Sequence, residues 1–535
     1  MFTLRSAPHW ASVAFALALL NAALTIVNIW PTPFVRLSGD VSLEVVGVAA
    51  AIALAQRWVS PRRTVVARVL AGVFVVLMLG RYADVTAQSM WGRPINLYWD
   101  MPHLPAVGAM LAAVATSWLV VLVIGAVVLI PTLVFLPLRW AFARLIDGAA
   151  DAAIRRALLA IAGIVLVVGG LQRLDAERVP QWPGVATPVT LVWVQQARQV
   201  AFEMSGAGLQ ALGPAPVITS SLARVQGADV LLLFVESYGA VSWDRPAFAS
   251  ALAPVRQELD DAIRQTGRGV VSTYLDSPTF GGESWLAHIS LLSGTEVRDG
   301  AANTRLMAQQ RDTMVTPFSR HGYRTVAIMP GIRGGWSEGA FYGFDDIYGA
   351  DRLAYDGPPF GWWDITDQFA LARLDALELD AAPRRPVFAV FPTISTHTPF
   401  TPAPPYQPDW ARVRTTTPFD DATLAAAYAE PADWLDLGPG YIRALTYAYR
   451  TFAGYLTLHP DRDLVLILVG DHQPPALVSG EGAPWHVPMH VITSRQTVLD
   501  ALLAHGFTAG LQPVLPVTSP MHAALPRLLD AFGDR

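Results

Sequence analysis

The feature that most constrains this chain is the crowding of long apolar runs into its first third. Such runs lie at about 10–30, 42–58, 64–80, 105–136 and 156–172, each near the roughly 20 residues that an α-helix needs to cross the hydrocarbon of a bilayer. A chain of this kind must place that third in lipid as a bundle of helices. No small-residue cleavage site follows the first run and further runs come after it, so it reads as an uncleaved anchor rather than a signal peptide. Arginines set the expected orientation. The 57–68 connection carries Arg57, Arg62, Arg63 and Arg68, and the 139–156 connection carries Arg139, Arg144, Arg155 and Arg156. The connection at 31–41 has only Arg36, and that at 81–104 only Arg81 and Arg93. The excess of positive charge places the first pair on the cytoplasmic side. An N-terminus in the cytoplasm and about five spans then send everything beyond residue 180 to the outside. No run has a central ionisable residue of the sort that marks an ion or substrate pathway, which argues for anchoring over transport.

Composition agrees with a chain that is part membrane and part globular. A mean hydropathy of +0.36 with 15% charged residues is too apolar for a wholly water-exposed protein of 535 residues. The net charge of −5 and pI near 6.1 lack the basic excess that neutralises phosphates along a nucleic acid, so no nucleic-acid partner is expected. There is no cysteine. A domain exported to an oxidising compartment must then be held by its core, which a domain of roughly 350 residues can do.

The sequence divides into a transmembrane domain over 1–178, a linker over 179–225 marked by Pro180, Pro183, Pro188, Pro214 and Pro216, and a globular domain over 226–535. In the last, short apolar runs recur at Val230–Val235, Val270–Leu275, Thr325–Met329, Val387–Phe391, Leu464–Val469 and Val487–Ile492. Stretches with helical spacing separate most of them: Phe248–Thr266, Ser284–Leu292, Thr304–His321, Ile365–Leu379 and Tyr441–Leu456. Buried strands alternating with helices predict an α/β domain whose largely parallel sheet is covered on both faces. Residues 399–439, rich in Pro, Asp and Thr, read as a long excursion between a strand and a helix.

Ligands of such sheets bind beyond the carboxyl ends of the strands, and polar residues gather at four of the predicted ends. Glu236 follows the run LLLFV, Asp471 and His472 follow LVLILVG, His397 lies in STHTPF after VFAVF, and His486 stands immediately before VPMHVI. Any one of these suits a solvated or structural role. Together, Glu236, Asp471 and His472 supply two carboxylates and an imidazole, a set suited to Mn²⁺, Mg²⁺ or Zn²⁺. In GGESWLAH, Gly281 and Gly282 precede Ser284 at a predicted helix start. Backbone N–H groups and the helix dipole would there face an anion approaching the Ser284 hydroxyl. A helix cap would explain the same serine.

The ordered set FVES, GGESWLAH, STHTPF, GDHQ and WHVP resembles the alkaline phosphatase superfamily, and within it the membrane-anchored sulfatase-like enzymes typified by lipoteichoic acid synthase. The resemblance covers the whole chain, from the spans to the closing segment SPMHAALPRLLDAFG. It implies a multi-span helical membrane domain followed by an alkaline phosphatase/sulfatase-like α/β domain. It also implies that Glu236, Ser284, Asp471 and His472 hold a divalent metal, Mn²⁺ first among Mn²⁺, Zn²⁺ and Mg²⁺, with Ser284 the nucleophile. His397 falls on the family's substrate-side histidine and His486 on a downstream one. Trp336 and Arg333, in MPGIRGGWSEG, correspond to a head-group tryptophan and a phosphate partner. Lipoteichoic acid synthases use Thr where this chain has Ser284. Formylglycine sulfatases need a C/S-x-P-x-R sequence, whereas Ser284 is followed by Trp285, Leu286, Ala287 and His288, so sulfate-ester hydrolysis is disfavoured. The phosphoethanolamine transferases of the superfamily usually carry disulfides, and this chain has no cysteine, which favours phosphoglycerol or a related group as the head group.

The function implied is metal-dependent transfer of a phosphoryl-linked head group from a membrane phospholipid to an extracytoplasmic glycan or lipid acceptor, through a covalent phospho-serine intermediate. The enzyme would sit in a bacterial inner (cytoplasmic) membrane. The competing readings are a membrane-bound phosphodiesterase or phosphatase, with water as acceptor, and a non-catalytic scaffold on the same fold.

Overall fold

In the computed structural model, residues 7–29, 32, 34–91, 94–105, 108–109, 117–174, 184–205, 212, 215–336 and 338–534 are described. The chain forms two compact units, Met1–Ser89 with Arg93–Gly208, and Met90–Gly92 with Leu209–Arg535.

The first unit consists of apolar helices α1 (Ala7–Leu24), α2 (Leu43–Leu54), α3 (Arg63–Trp91), α4 (Ser117–Gly148), α5 (Ala152–Leu174) and α6 (Val189–Met204). Three segments among the described residues are long and apolar enough to cross a membrane: Gln56–Ser89, Val120–Gly148 and Ala152–Gln172. The apolar run at 105–136 lies partly outside the described residues. The first two runs form shorter helices. After Leu24 the β-branched Ile26 and Val27 enter strand β1 (Ile26–Asn28), which pairs antiparallel with β2 (Val35–Leu37). A core of small, aliphatic and aromatic residues joins the helices, including Ala16, Ala71, Phe74, Ala141, Phe142 and Leu145. The Phe74 and Phe142 rings meet edge to face at 4.8 Å. Arg63 pairs with Asp147 at 2.6 Å, joining the two arginine-rich connections at one end of the unit. The stretch expected to be a linker holds α6, whose Thr190 N–H and hydroxyl both donate to Glu44. From Ile218 onward the chain already belongs to the second unit's core.

The second unit is built on a nine-stranded sheet. Its strands are β3 (Asp229–Val235), β4 (Gly269–Asp276), β5 (Arg324–Met329), β6 (Asp346–Gly349), β7 (Val387–Pro392), β8 (Leu464–Gly470), β9 (His486–Thr493), β10 (Thr508–Ala509) and β11 (Ser519–Pro520). The centre is parallel in the order β8-β3-β7-β5-β6, and β9 runs antiparallel between β8 and β4. The six strands read from the sequence are present, and β6, β10 and β11 add short edge pieces. Alternation along β3 explains the continuous apolar run. Leu231, Leu233 and Val235 enter one core cluster, while Val230, Leu232 and Phe234 enter the other. Two side chains per two residues are therefore buried on opposite faces, as a sheet covered on both sides demands.

Helix α7 (Pro246–Gln265) packs against α10 (Gly438–Leu458) over one face, and α8 (Ser284–Ser293), α11 (Gln496–Ala504) and α12 (Ala524–Phe532) lie over the other. Two predicted helices break. The stretch 304–321 forms Gly300–Met307 and Val315–Arg320, because the Thr313 hydroxyl donates to Tyr342 O at 2.8 Å and accepts from Val315 N. The stretch 365–379 forms α9 (Asp367–Leu374) and then a π turn at Asp375–Leu379. The excursion over 399–439 contains only two short helices, Trp410–Val413 and Asp421–Tyr428.

Candidate active site

The topology brings four strand ends to one edge of the sheet. Strands β3, β7 and β8 are mutually parallel, so Glu236, the turn bearing His397, and Asp471-His472 emerge side by side. Strand β9 is antiparallel, so His486, its first residue, stands at the same edge. Two glycines permit the approach. A Cβ on Gly470 would fall 1.9 Å from Tyr238 O, and one on Gly239 would fall 2.7 Å from the Gln473 Cα.

Glu236, Asp471 and His472 offer ligand atoms that all lie within 4.8 Å of one another, and all three residues are buried. Asp471 Oδ1 accepts from the Ser237 and His472 amides at 2.8 and 2.6 Å, while buried Oδ2 has no hydrogen-bond partner. His472 Nδ1 lies 2.7 Å from Gln473 O. A carbonyl only accepts, so Nδ1 carries the proton and Nε2 presents a lone pair. That lone pair faces Glu236 Oε1 at 3.4 Å and Asp471 Oδ2 at 3.8 Å.

Ser284 completes the group. Its hydroxyl donates to Glu236 Oε2 at 2.8 Å and lies 3.1 Å from His472 Nε2. One proton cannot satisfy both, so acceptor faces acceptor across the centre. A converging set of lone pairs with too few protons, including an orphaned buried carboxylate oxygen, is the donor arrangement that fits a divalent cation. Crowding two carboxylates into one buried site drives their proton affinities apart. Burial and the adjacent Glu236 carboxylate push Asp471 well above the ordinary carboxylate range. Burial alone would raise Glu236 too, but His472 and His397 hold it down at about 2. Burial lowers the His472 imidazole below its ordinary range, against the pull of the Glu236 carboxylate.

The loop before Ser284 is shaped by backbone conformation. Gly281 has φ 69°, and Glu283, directly before Ser284, has φ 59°. Ser237, directly after Glu236, has φ 56°. Left-handed non-glycine residues cost on the order of 1–2 kcal/mol each and concentrate at functional sites. Ser277 and Thr279, the neighbouring hydroxyls, are committed elsewhere: they donate to Asp471 O and Gly282 O, both at 2.6 Å. Sequence reasoning missed two hydroxyls that hold Glu236. Thr393 Oγ1 accepts from the Glu236 amide at 3.1 Å, and Thr396 donates to Glu236 O at 2.6 Å. Thr396 lies within STHTPF, but nothing in the sequence says that it faces β3.

His397 donates from Nδ1 to Thr398 O at 2.7 Å and meets the Trp363 ring edge-on at 4.8 Å. It follows directly on Thr396, whose hydroxyl donates to Glu236 O, which puts the turn that bears it beside the cluster. His486 packs its ring 6.3 Å from that of Tyr274. Arg333 forms an exposed pair with Asp364 at 2.5 Å, and Trp336 stacks on Tyr342 at 5.3 Å. Neither has a hydrogen bond or ring contact with the four clustered residues.

Residues 289–498 match the Sulfatase family, a span that includes His397, Asp471, His472 and His486 and begins just after Ser284. No curated protein matches the sequence. Among solved structures, the chain is similar to the integral membrane protein lipooligosaccharide phosphoethanolamine transferase A (EptA) from Neisseria meningitidis, with 14% identity, TM-score 0.46, and 98% of this chain and 96% of that one covered. It is also similar to the lipoteichoic acid synthase LtaP from Listeria monocytogenes, with 14% identity, TM-score 0.39, and coverage of 62% and 78%. A third is the Streptococcus pyogenes phosphoglycerol transferase GacH in complex with sn-glycerol-1-phosphate, with 12% identity, TM-score 0.33, and coverage of 64% and 91%.

Proposed function

We propose that this chain, a sulfatase-like protein of the alkaline phosphatase superfamily with N-terminal apolar helices, is a membrane-anchored transferase that moves a phosphoryl-linked head group, phosphoglycerol, from a phospholipid to an extracytoplasmic glycan or lipid hydroxyl. The single observation that carries the reading is the Ser284 hydroxyl, at the first position of α8, 2.8 Å from Glu236 Oε2 and 3.1 Å from His472 Nε2. A serine hydroxyl is unreactive until its proton has somewhere to go, and here it is already directed at a buried carboxylate.

Glu236, Ser284, Asp471 and His472 would hold the divalent ion, and their oxygen-rich donor set suits Mn²⁺. When bound, that ion supplies positive charge that lowers the serine pKa and offsets charge on phosphate. The residues themselves perform the rest. Ser284 Oγ attacks phosphorus and gives up its proton towards Glu236. The bond from phosphorus to the lipid oxygen breaks, and diacylglycerol leaves with a proton supplied by His397 or by solvent at the sheet edge. The N-terminus of α8 faces the phosphoryl oxygens. The acceptor hydroxyl then attacks the phospho-serine ester and passes its proton to His397 or to solvent, the bond from phosphorus to Ser284 Oγ breaks, and Ser284 takes back the proton held at Glu236. Arg333 lies in an exposed pair, and such pairs are worth little, so Asp364 can be exchanged for a phosphate oxygen; Trp336, stacked on Tyr342, would lie against the phosphoglycerol head group. His486, the first residue of β9 at the same sheet edge, would bind the substrate from there. Helices in the membrane keep the site within reach of a lipid donor.

The test is to incubate purified full-length protein and Mn²⁺ with head-group-labelled phosphatidylglycerol. Transfer gives diacylglycerol and label in an acceptor. Release of glycerol phosphate to water, with acceptors present, would instead establish a hydrolase, and no turnover would leave a scaffold.

A further inference from the structure

We infer that Asp367, a buried carboxylate outside the cluster, is the positioning residue that fixes both Glu236 and His397; the inference rests on the reading of Glu236 as a metal ligand. Asp367 is the first residue of α9 and is 1% exposed. No arginine, lysine or histidine pairs with it among the described residues. Its two oxygens instead accept from successive amides of the turn after β7, Oδ1 from Ile394 N at 2.8 Å and Oδ2 from Ser395 N at 3.1 Å. The bond is returned, since Ser395 Oγ accepts from the Asp367 amide at 3.1 Å. A buried carboxylate without a cation is costly, and this clamp of two amide bonds to its oxygens is the compensation that keeps it there.

What the clamp holds explains why it matters. The turn runs from Thr393 to His397. At one end Thr393 takes the Glu236 amide, and at the other Thr396 takes the Glu236 carbonyl. Glu236 is thus gripped through its backbone on both sides by hydroxyls of a turn whose middle is fixed by Asp367. The next residue is His397, whose own amide donates to Ile394 O at 3.2 Å, one of the two residues that Asp367 holds. Ser237, after Glu236, is in a left-handed conformation that needs such external support. The far side of α9 is anchored too: Gln368 N donates to the Tyr447 hydroxyl at 2.9 Å, and the Gln368 amide exchanges two bonds with the Gln407 backbone. Asp367 therefore transmits the position of a rigid helix to the β7 turn, and the turn transmits it to a ligand and to the substrate-side histidine.

The experiment uses full-length protein in detergent and compares wild type, Asp367→Asn, Asp367→Glu, Ser395→Ala and Thr396→Val. Affinity is read with Mn²⁺ alone by calorimetry, and turnover with labelled phosphatidylglycerol. Outer groups that orient ligands typically matter by 10- to 100-fold. Asp367→Asn, which places an NH₂ against an N–H donor, is expected to weaken Mn²⁺ binding and slow turnover by about that much. Ser395→Ala, which loses only the returned bond, is expected to stay within about threefold of wild type. Should Asp367→Asn not fold, Asp367→Glu, which keeps the charge but moves the carboxylate by one methylene away from the Ile394 and Ser395 amides, decides, with the same weakening expected; Thr396→Val reads the turn's own grip on Glu236. Variants that bind Mn²⁺ and turn over like wild type, with only a lowered Tm, would overturn the inference and leave the functional reading intact. A wild type that itself neither binds Mn²⁺ nor releases diacylglycerol would remove the functional reading, and this inference with it.

Discussion

The hydroxyl of Ser284 and the carboxylate of Glu236 meet at 2.8 Å although 48 residues separate them, because α8 begins where β3 ends. That contact separates Ser284 from its neighbours. Ser284→Ala is expected to lower turnover by roughly 10⁴-fold or more, as loss of an activated nucleophile does. Ser277→Ala and Thr279→Ala remove hydroxyls already bonded to carbonyls, so each is expected to cost about 1–2 kcal/mol of stability and to keep most of the activity. Steady-state rates and thermal unfolding of the three variants check this. Full activity in Ser284→Ala would assign the chemistry to another group.

The orphaned Asp471 Oδ2 leads to a metal prediction. Asp471→Asn is expected to weaken Mn²⁺ binding by more than about 100-fold, because a ligand rather than a supporting group is changed. In wild type, Mn²⁺ at 100 times its Kd is expected to stabilise the folded state by about 2.7 kcal/mol, and EDTA to remove that gain. Calorimetry and melting curves measure both. Equal binding by wild type and Asp471→Asn would place Asp471 outside the site.

A second buried acid sits at the opposite end of the sheet from the cluster. Asp375 is 4% exposed and bonds to Arg462 at 2.6 Å, to His459 at 2.7 Å and to the Tyr455 hydroxyl at 2.9 Å. Burial would raise its pKa, but His459 and Arg462 hold it below the ordinary carboxylate range overall. A depressed carboxylate contributes stability that is present above the unfolded pKa and lost as pH falls through the folded one. Asp375→Asn is therefore expected to destabilise the second unit by about 3–5 kcal/mol near pH 7, and the gap to wild type is expected to narrow as pH falls below the ordinary carboxylate range. Denaturant melts at several pH values test this. A gap that widens on acidification would contradict the sign.

The pair Arg63–Asp147 ties together the two arginine-rich connections. With those on the cytoplasmic side, a reporter inserted at Gly148 and one after Arg535 are expected on opposite sides of the membrane. Protease or thiol accessibility in intact cells reads this out. Both reporters on one side would make the number of spans even.

The strands bearing Glu236, Asp471 and His472 were legible because a sheet buried on both faces leaves unbroken apolar runs, as LLLFV and LVLILV are. Ser284 was legible from two glycines before an apolar helix. Thr393, Thr396 and Asp367 were not, since their roles depend on which turn packs against β3, a matter of topology and not of local pattern. The helix predicted over 304–321 broke for a similar reason: Thr313 is drawn off by Tyr342 O, a partner 29 residues away. Strand β6 escaped notice because Asp346–Gly349 is short, lies at the edge and carries an acid in place of an apolar run. The strain at Ser237 and Glu283 marks the site as clearly as its chemistry does, yet neither residue type announces a left-handed backbone.

The most direct test of the account is to trap the covalent intermediate. Full-length protein with Mn²⁺ and labelled phosphatidylglycerol, quenched without an acceptor, is digested and its peptides mapped by mass spectrometry. The account expects the phosphoglycerol adduct on Ser284, absent from Ser284→Ala and lost from wild type when an acceptor is supplied. An adduct on Ser277 or Thr279, or diacylglycerol release with no adduct under any quench, would contradict it.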